Sequence, residues 1–141
     1  MSDIVVVPSG VIPANANTVI ARGTAGATIT AGQTVYADAA NNNQIKPATQ
    51  TSPAAAAVVG VALNSASSGQ PVEYATSGDV TFTNLLATSK VYVLGSGAGG
   101  LSLSADLDSA ATNTRYGTVI GVATSGTNLR LSIVTSGVLR P

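Results

Sequence analysis

The sequence predicts an all-β protein, a compact β-sandwich or barrel of two similar halves preceded by an extended N-terminal arm. Three observations predict it. From Gly26 onward, short strand-like runs recur roughly every 8–12 residues, the spacing of sandwiches and barrels. Ala, Gly, Ser and Thr make up half of the 141 residues, yet 45% of the chain is hydrophobic and the formal net charge is zero. Disordered chains combine low hydrophobicity with high net charge, so this composition fits dense sheets joined by tight turns. Finally, three landmarks recur in the same order, which is the mark of a duplicated half.

The arm covers residues 1–25. Ile4, Val5, Val6 and Val7 form a β-branched run closed by Pro8, and Val11 and Ile12 repeat the pattern before Pro13. Each proline forbids helix and favours extended backbone. A short apolar strand with no turn returning it to a partner must add to a sheet, its own or a neighbour's. Ile4, Val5, Val6, Val7, Val11 and Ile12 are therefore the candidate docking residues.

The β domain covers residues 26–141, with half-repeats at 26–83 and 84–141. Strands are expected at Ala27–Thr30, Thr34–Ala37, Gln44–Pro47, Val58–Leu63, Val72–Thr76 and Val80–Thr83 in the first half. The second half offers Lys90–Leu94, Leu101–Ser104, Thr118–Ala123, Leu129–Val134 and Gly137–Arg140. Leu129-Arg130-Leu131-Ser132-Ile133 alternates as a strand with one buried face does. Ala31-Gly32, Ser68-Gly69, Ser77-Gly78-Asp79 and Ser125-Gly126 carry turn chemistry. Only Pro53–Ala57 and Ala105–Thr112 leave room for a helical turn. The landmarks pair Thr34-Val35-Tyr36 with Lys90-Val91-Tyr92, and Val59-Gly60-Val61-Ala62 with Ile120-Gly121-Val122-Ala123. The third pairs Thr76-Ser77-Gly78 with Thr135-Ser136-Gly137.

Composition narrows function. Six cations balance six anions, and 9% of the residues are charged against an average of about 25%. That argues against a nucleic-acid partner. Without Cys, His or Trp there is no disulfide, no thiolate or imidazole metal site and no His-activated nucleophile. No run approaches the roughly 20 apolar residues of a membrane span, and the N-terminus lacks the cations of a signal peptide. No cofactor is expected.

Four features imitate chemistry. Gly95-Ser96-Gly97-Ala98-Gly99-Gly100 matches the dinucleotide fingerprint, but the strand-like Leu101-Ser102-Leu103 follows where a helix must. Asp106 and Asp108 have calcium-like spacing but no third acid or turn glycine. Ser89-Lys90 reads as a strand-edge gatekeeper rather than a catalytic pair. Tyr36 and Tyr92 fall at matching places in the repeats, as structural pillars would.

The run Gly60-Val61-Ala62-Leu63-Asn64-Ser65-Ala66-Ser67-Ser68-Gly69-Gln70-Pro71-Val72-Glu73-Tyr74-Ala75-Thr76-Ser77-Gly78-Asp79-Val80 resembles the central signature of tailed-bacteriophage head decoration, or capsid cement, proteins. Thr30-Ala31-Gly32-Gln33-Thr34-Val35-Tyr36 is similar to the segment that leads into a strand upstream in that family. The resemblance covers residues 26–83 well and the second half more loosely. It implies a non-enzymatic virion protein, made in the host cytoplasm, that docks on the outer capsid surface as a homotrimer. Its partner would be the major capsid protein, whose neighbouring subunits it clamps. The alternative is a β-module of a head fibre or tail spike that binds host glycans.

Overall fold

The structure is a computed structural model and describes residues 10–13, 17–82, 86–95, 98–103 and 116–139. Among them are ten strands and no α-helix. In chain order these are β1 (Ile12–Pro13), β2 (Val19–Thr24), β3 (Thr34–Asp38), β4 (Gln44–Pro47) and β5 (Val58–Ala62). They continue with β6 (Pro71–Thr81), β7 (Val91–Leu94), β8 (Leu101–Leu103), β9 (Tyr116–Ala123) and β10 (Asn128–Leu139). The all-β class holds.

The strand order is β4-β3-β5-β6-β10-β9-β7-β8. It reads the same from either end once each half is numbered separately. A hairpin lies at the edge, its first strand pairs with a third, and the third pairs with a fourth. The two fourth strands, β6 and β10, meet antiparallel at the centre. Two similar halves are thus visible in the pairing itself.

The register refines the repeat. Val35 pairs with Gly60 in the first half, and Tyr92 pairs with Gly121 in the second. Tyr36 pairs with Val58, and Val93 with Val119, with a bulge at the same step in each ladder. The Gly-Val-Ala landmarks are therefore equivalent, but Tyr92 matches Val35 and not Tyr36. The tyrosines are not twin pillars: Tyr92 is buried with its hydroxyl accepting from the Ala87 amide at 2.9 Å, while Tyr36 lies half-buried. Ala62 pairs with Tyr74 and Ala123 with Leu129, which puts the two Thr-Ser-Gly triplets out of step.

The two Thr-Ser-Gly landmarks also lie within strands, the first where a turn is expected. Ser77-Gly78-Asp79 lies inside the eleven-residue β6, and Ser136-Gly137 lies inside the twelve-residue β10. Gly78 takes φ +87°, a left-handed value that glycine reaches without a Cβ penalty, and its vacant Cβ position faces the Asn17 carbonyl. The strand bends there instead of reversing. Before the bend β6 pairs with β2 and β5, and after it with β1 and β10.

Part of the segment read as an arm belongs to the body. β2 lies along β6 from Val19↔Ser77 to Thr24↔Pro71. Ala25 then bridges Ile45 of β4, and the Gly26 amide donates to the Ile45 carbonyl at 2.8 Å. That bridge closes β4-β3-β5-β6-β2 into a small barrel around Ala25, Ile29, Val35, Ile45, Ala62, Ala66 and Val72. Ala27–Thr30, expected as a strand, makes only the single bridge Ile29↔Ala66, with Ile29 packed into that cluster. Pro53–Ala57 is a run of hydrogen-bonded turns, with Ala56 N–H donating to the Ser52 carbonyl. The helical turn expected at 105–112 lies outside the described residues.

A larger core joins the halves. Val58, Val61 and Ala75 from the first half pack with Tyr92, Leu94, Leu101, Ile120, Ala123, Leu129 and Leu131 from the second. Full burial of each valine, leucine or isoleucine among them contributes about 1.5–3 kcal/mol. Hydrogen bonds cross the same seam. The Gly99 amide donates to the Ala48 carbonyl at 2.7 Å, the Thr34 amide to Gly99 at 3.0 Å, and Gln50 Nε2 to Leu94 at 2.7 Å. Gly99, between the paired strands β7 and β8, is therefore docked on the first half.

Candidate interaction surface

Of the six docking candidates, Ile4, Val5, Val6 and Val7 lie outside the described residues. Val11 is buried in the larger core. Its neighbour Ile12 is 53% exposed on β1, opposite Thr81. Strand alternation explains the contrast, since successive side chains leave opposite faces. Val11 is part of this protein's core, and Ile12 stays on its surface.

Sequence reasoning did not single out four further aliphatics. Val19 and Ile20 are exposed on β2, and Val122 and Val134 on β9 and β10. Val19 and Ile20 lay inside the expected arm but were not picked, although a Val-Ile pair just after a loop was the available signal. Among the described residues, β2 has a strand ladder along one side only, and the bridge from Ala25 to Ile45 covers the other side just past its far end, which leaves the edge at Val19 and Ile20 without a strand ladder. Such an edge is a template for strand addition.

Charges around this surface are mostly spoken for. Arg22 reaches Glu73 across the β2–β6 pair at 3.1 Å, beside an open depression lined also by Leu63, Asn64, Pro71 and Val72. Arg130 on β10 grips Asp79 on β6 with Nε at 3.0 Å and Nη2 at 3.4 Å. The Asp79 side chain is only 6% exposed. This carboxylate raises the Arg130 guanidinium pKa above its ordinary value by hydrogen bonding first and direct attraction second. The Asp79 backbone is held as well, its carbonyl accepting from Thr18 Oγ1 and its amide donating to Asn17 Oδ1. Residues 17–18 are thereby fixed to the bend of β6.

On the far side, Lys46 Nζ lies 2.7 Å from Asp38 Oδ2, and Asn41 Nδ2 donates to the same oxygen at 2.8 Å. Those two donors hold the Asp38 carboxyl below its ordinary value of 3.8. The same carboxylate raises Lys46. Asp38 also caps the 3₁₀ turn Ala39–Asn41 by accepting from the Ala40 amide. These are structural tasks.

The features that imitated chemistry resolve differently. Ser89 takes φ 65° in the turn before β7, and its amide donates to the Ala123 carbonyl. Asp106 and Asp108 lie outside the described residues. Tyr36, Tyr74 and Tyr116 are half-buried and Tyr92 and Phe82 buried, so the exposed large hydrophobics on the described surface are aliphatic. No protein-family model matches the chain, and comparison with curated proteins finds no match.

Proposed function

We propose that this is a structural protein of a tailed-phage virion that binds the outer surface of the assembled head and clamps neighbouring major capsid subunits. The observation that carries the reading is the exposed aliphatic set Ile12, Val19 and Ile20 on strands flanking β6, beside the edge of β2 that carries no strand ladder. The Ile4–Val7 run precedes that set by a few residues and supplies β-branched side chains of the same kind. Strand addition at such an edge gives affinity through main-chain bonds and needs no catalytic group. The resemblance of residues 26–83 to head decoration proteins supports the same role, and trimeric assembly belongs to that proposal. The aliphatic character of the exposed set favours docking on protein over glycan binding, which needs exposed aromatic rings.

The test is direct. Capsids lacking the protein are mixed with the purified chain and imaged by cryo-electron microscopy. Ordered density at regular surface positions is expected. Bare capsids at saturating protein would overturn the reading.

A further inference from the structure

The two halves present equivalent sheet faces with opposite fates. In the first half, Thr34, Tyr36, Val58, Val61 and Ala75 share one face, by the pairs Thr34↔Val61, Tyr36↔Val58 and Val61↔Ala75. The registers make their counterparts Val91, Val93, Val119, Val122 and Arg130, through Val91↔Val122, Val93↔Val119 and Arg130↔Val122. Val134 joins this second face opposite Val119. The first face is core. Val58, Val61 and Ala75 are buried against the second half, and Tyr36 packs on the same cluster. The second face is not. Val122 is 39% and Val134 60% exposed, Val91 and Val119 are half-buried, and only Val93 is buried.

We infer that this valine face of the second half, across β7, β9 and β10, is the contact surface between copies of this chain. The equivalent face shows what covers such a surface, namely a sheet of this same protein. Its chemistry suits a self-contact. Four valines on three adjacent strands, Val91, Val119, Val122 and Val134, reach the surface beside the buried Val93, and contiguous apolar patches mark interaction sites. The one charge in it, Arg130, is already matched by Asp79, so a second copy meets no unpaired charge.

Sedimentation of the full chain tests this across a wide concentration range. Wild type is expected above monomer mass. The double variant V122D/V134D is expected to weaken association at least tenfold while circular dichroism and melting temperature hold, since both side chains already reach solvent. V19D/I20D should leave association unchanged. The chain has no cysteine, which allows a second readout. Alkylation of V134C should slow as concentration rises, whereas S68C, on an exposed turn, should not change. A wild type that stays monomeric at hundreds of micromolar would overturn the inference. So would association that survives V122D/V134D, or slow alkylation of V134C at dilutions where the chain is monomeric.

Discussion

Gly60 and Gly121 occupy the same place in the two halves and are needed for the same reason. A Cβ on Gly60 would fall on the carbonyl oxygen of Ala75, and one on Gly121 on that of Arg130. Ala75 and Arg130 are themselves equivalent, paired with Val61 and Val122. Each glycine lets a bulged third strand press against the backbone of the fourth. The repeat is thus preserved at the point where backbone meets backbone, although most side chains around it differ.

Alanine at either glycine should destabilise the fold. Overpacking costs about 1–3 kcal/mol, and here the obstructing atoms are backbone, which yields least. G60A and G121A should each lower the melting temperature by about 5–15 °C. Equal losses are expected, because the obstruction is the same. A melting temperature within 2 °C or so of wild type for either would show that the ladder shifts freely.

Truncation separates anchor from dock. Removing residues 1–9 leaves Val11 in the core and Asn17 against the bend of β6, so the melting temperature should hold. Removing residues 1–17 takes both, and losing a buried valine alone costs about 1.5–3 kcal/mol. Thermal scans of the two chains should differ by roughly 5 °C or more. Capsid decoration by the shorter truncation then reports on the Ile4–Val7 run without a folding defect.

The Asp38–Lys46 pair sets a dependence on pH at both ends. Asp38 is depressed in the folded state, so its contribution is full above 3.8 and is lost as pH falls through the lower folded value. Lys46 is raised, so its contribution is full below 10.5 and is lost as pH rises through the higher folded value. Urea midpoints of wild type and D38N should therefore differ at neutral pH and converge in strong acid. Parallel curves down to pH 2 would show that Asp38 contributes through its cap on the 3₁₀ turn alone.

Calorimetry should show one transition despite the repeat. The larger core draws on both halves, and the Gly99–Ala48, Thr34–Gly99 and Gln50–Leu94 bonds cross between them. Agreement of calorimetric and van't Hoff enthalpies is the measurement. Two resolved peaks would mean that the small barrel melts on its own.

The class and most strands were legible because period-two patterning and turn residues report on local backbone. Gln44–Pro47 was read with its observed bounds. The errors fall where one local pattern serves two tertiary uses. Ser77-Gly78-Asp79 has the residues of a turn, but left-handed backbone also permits a bend within a strand, and the Asn17 carbonyl fills the space left at Gly78. Tyr36 and Tyr92 share a letter and a neighbouring valine, yet the ladders set them one residue apart. The surface was harder still. Val61 and Val122 sit in the same Gly-Val-Ala motif, one fully buried and the other exposed. Packing between halves decides that, and no local pattern encodes it.

The bend in β6 has a mechanical consequence. One unbroken strand crosses from the ladder with β2 and β5 to the ladder with β1 and β10. Tension along β6 is therefore carried by rows of hydrogen bonds strained together in shear, not opened one at a time from an end. The sheets share a tie-rod where tandem modules have a linker. A pull along β6 thus reaches both ladders through one continuous backbone, which is the property the proposed clamp would need.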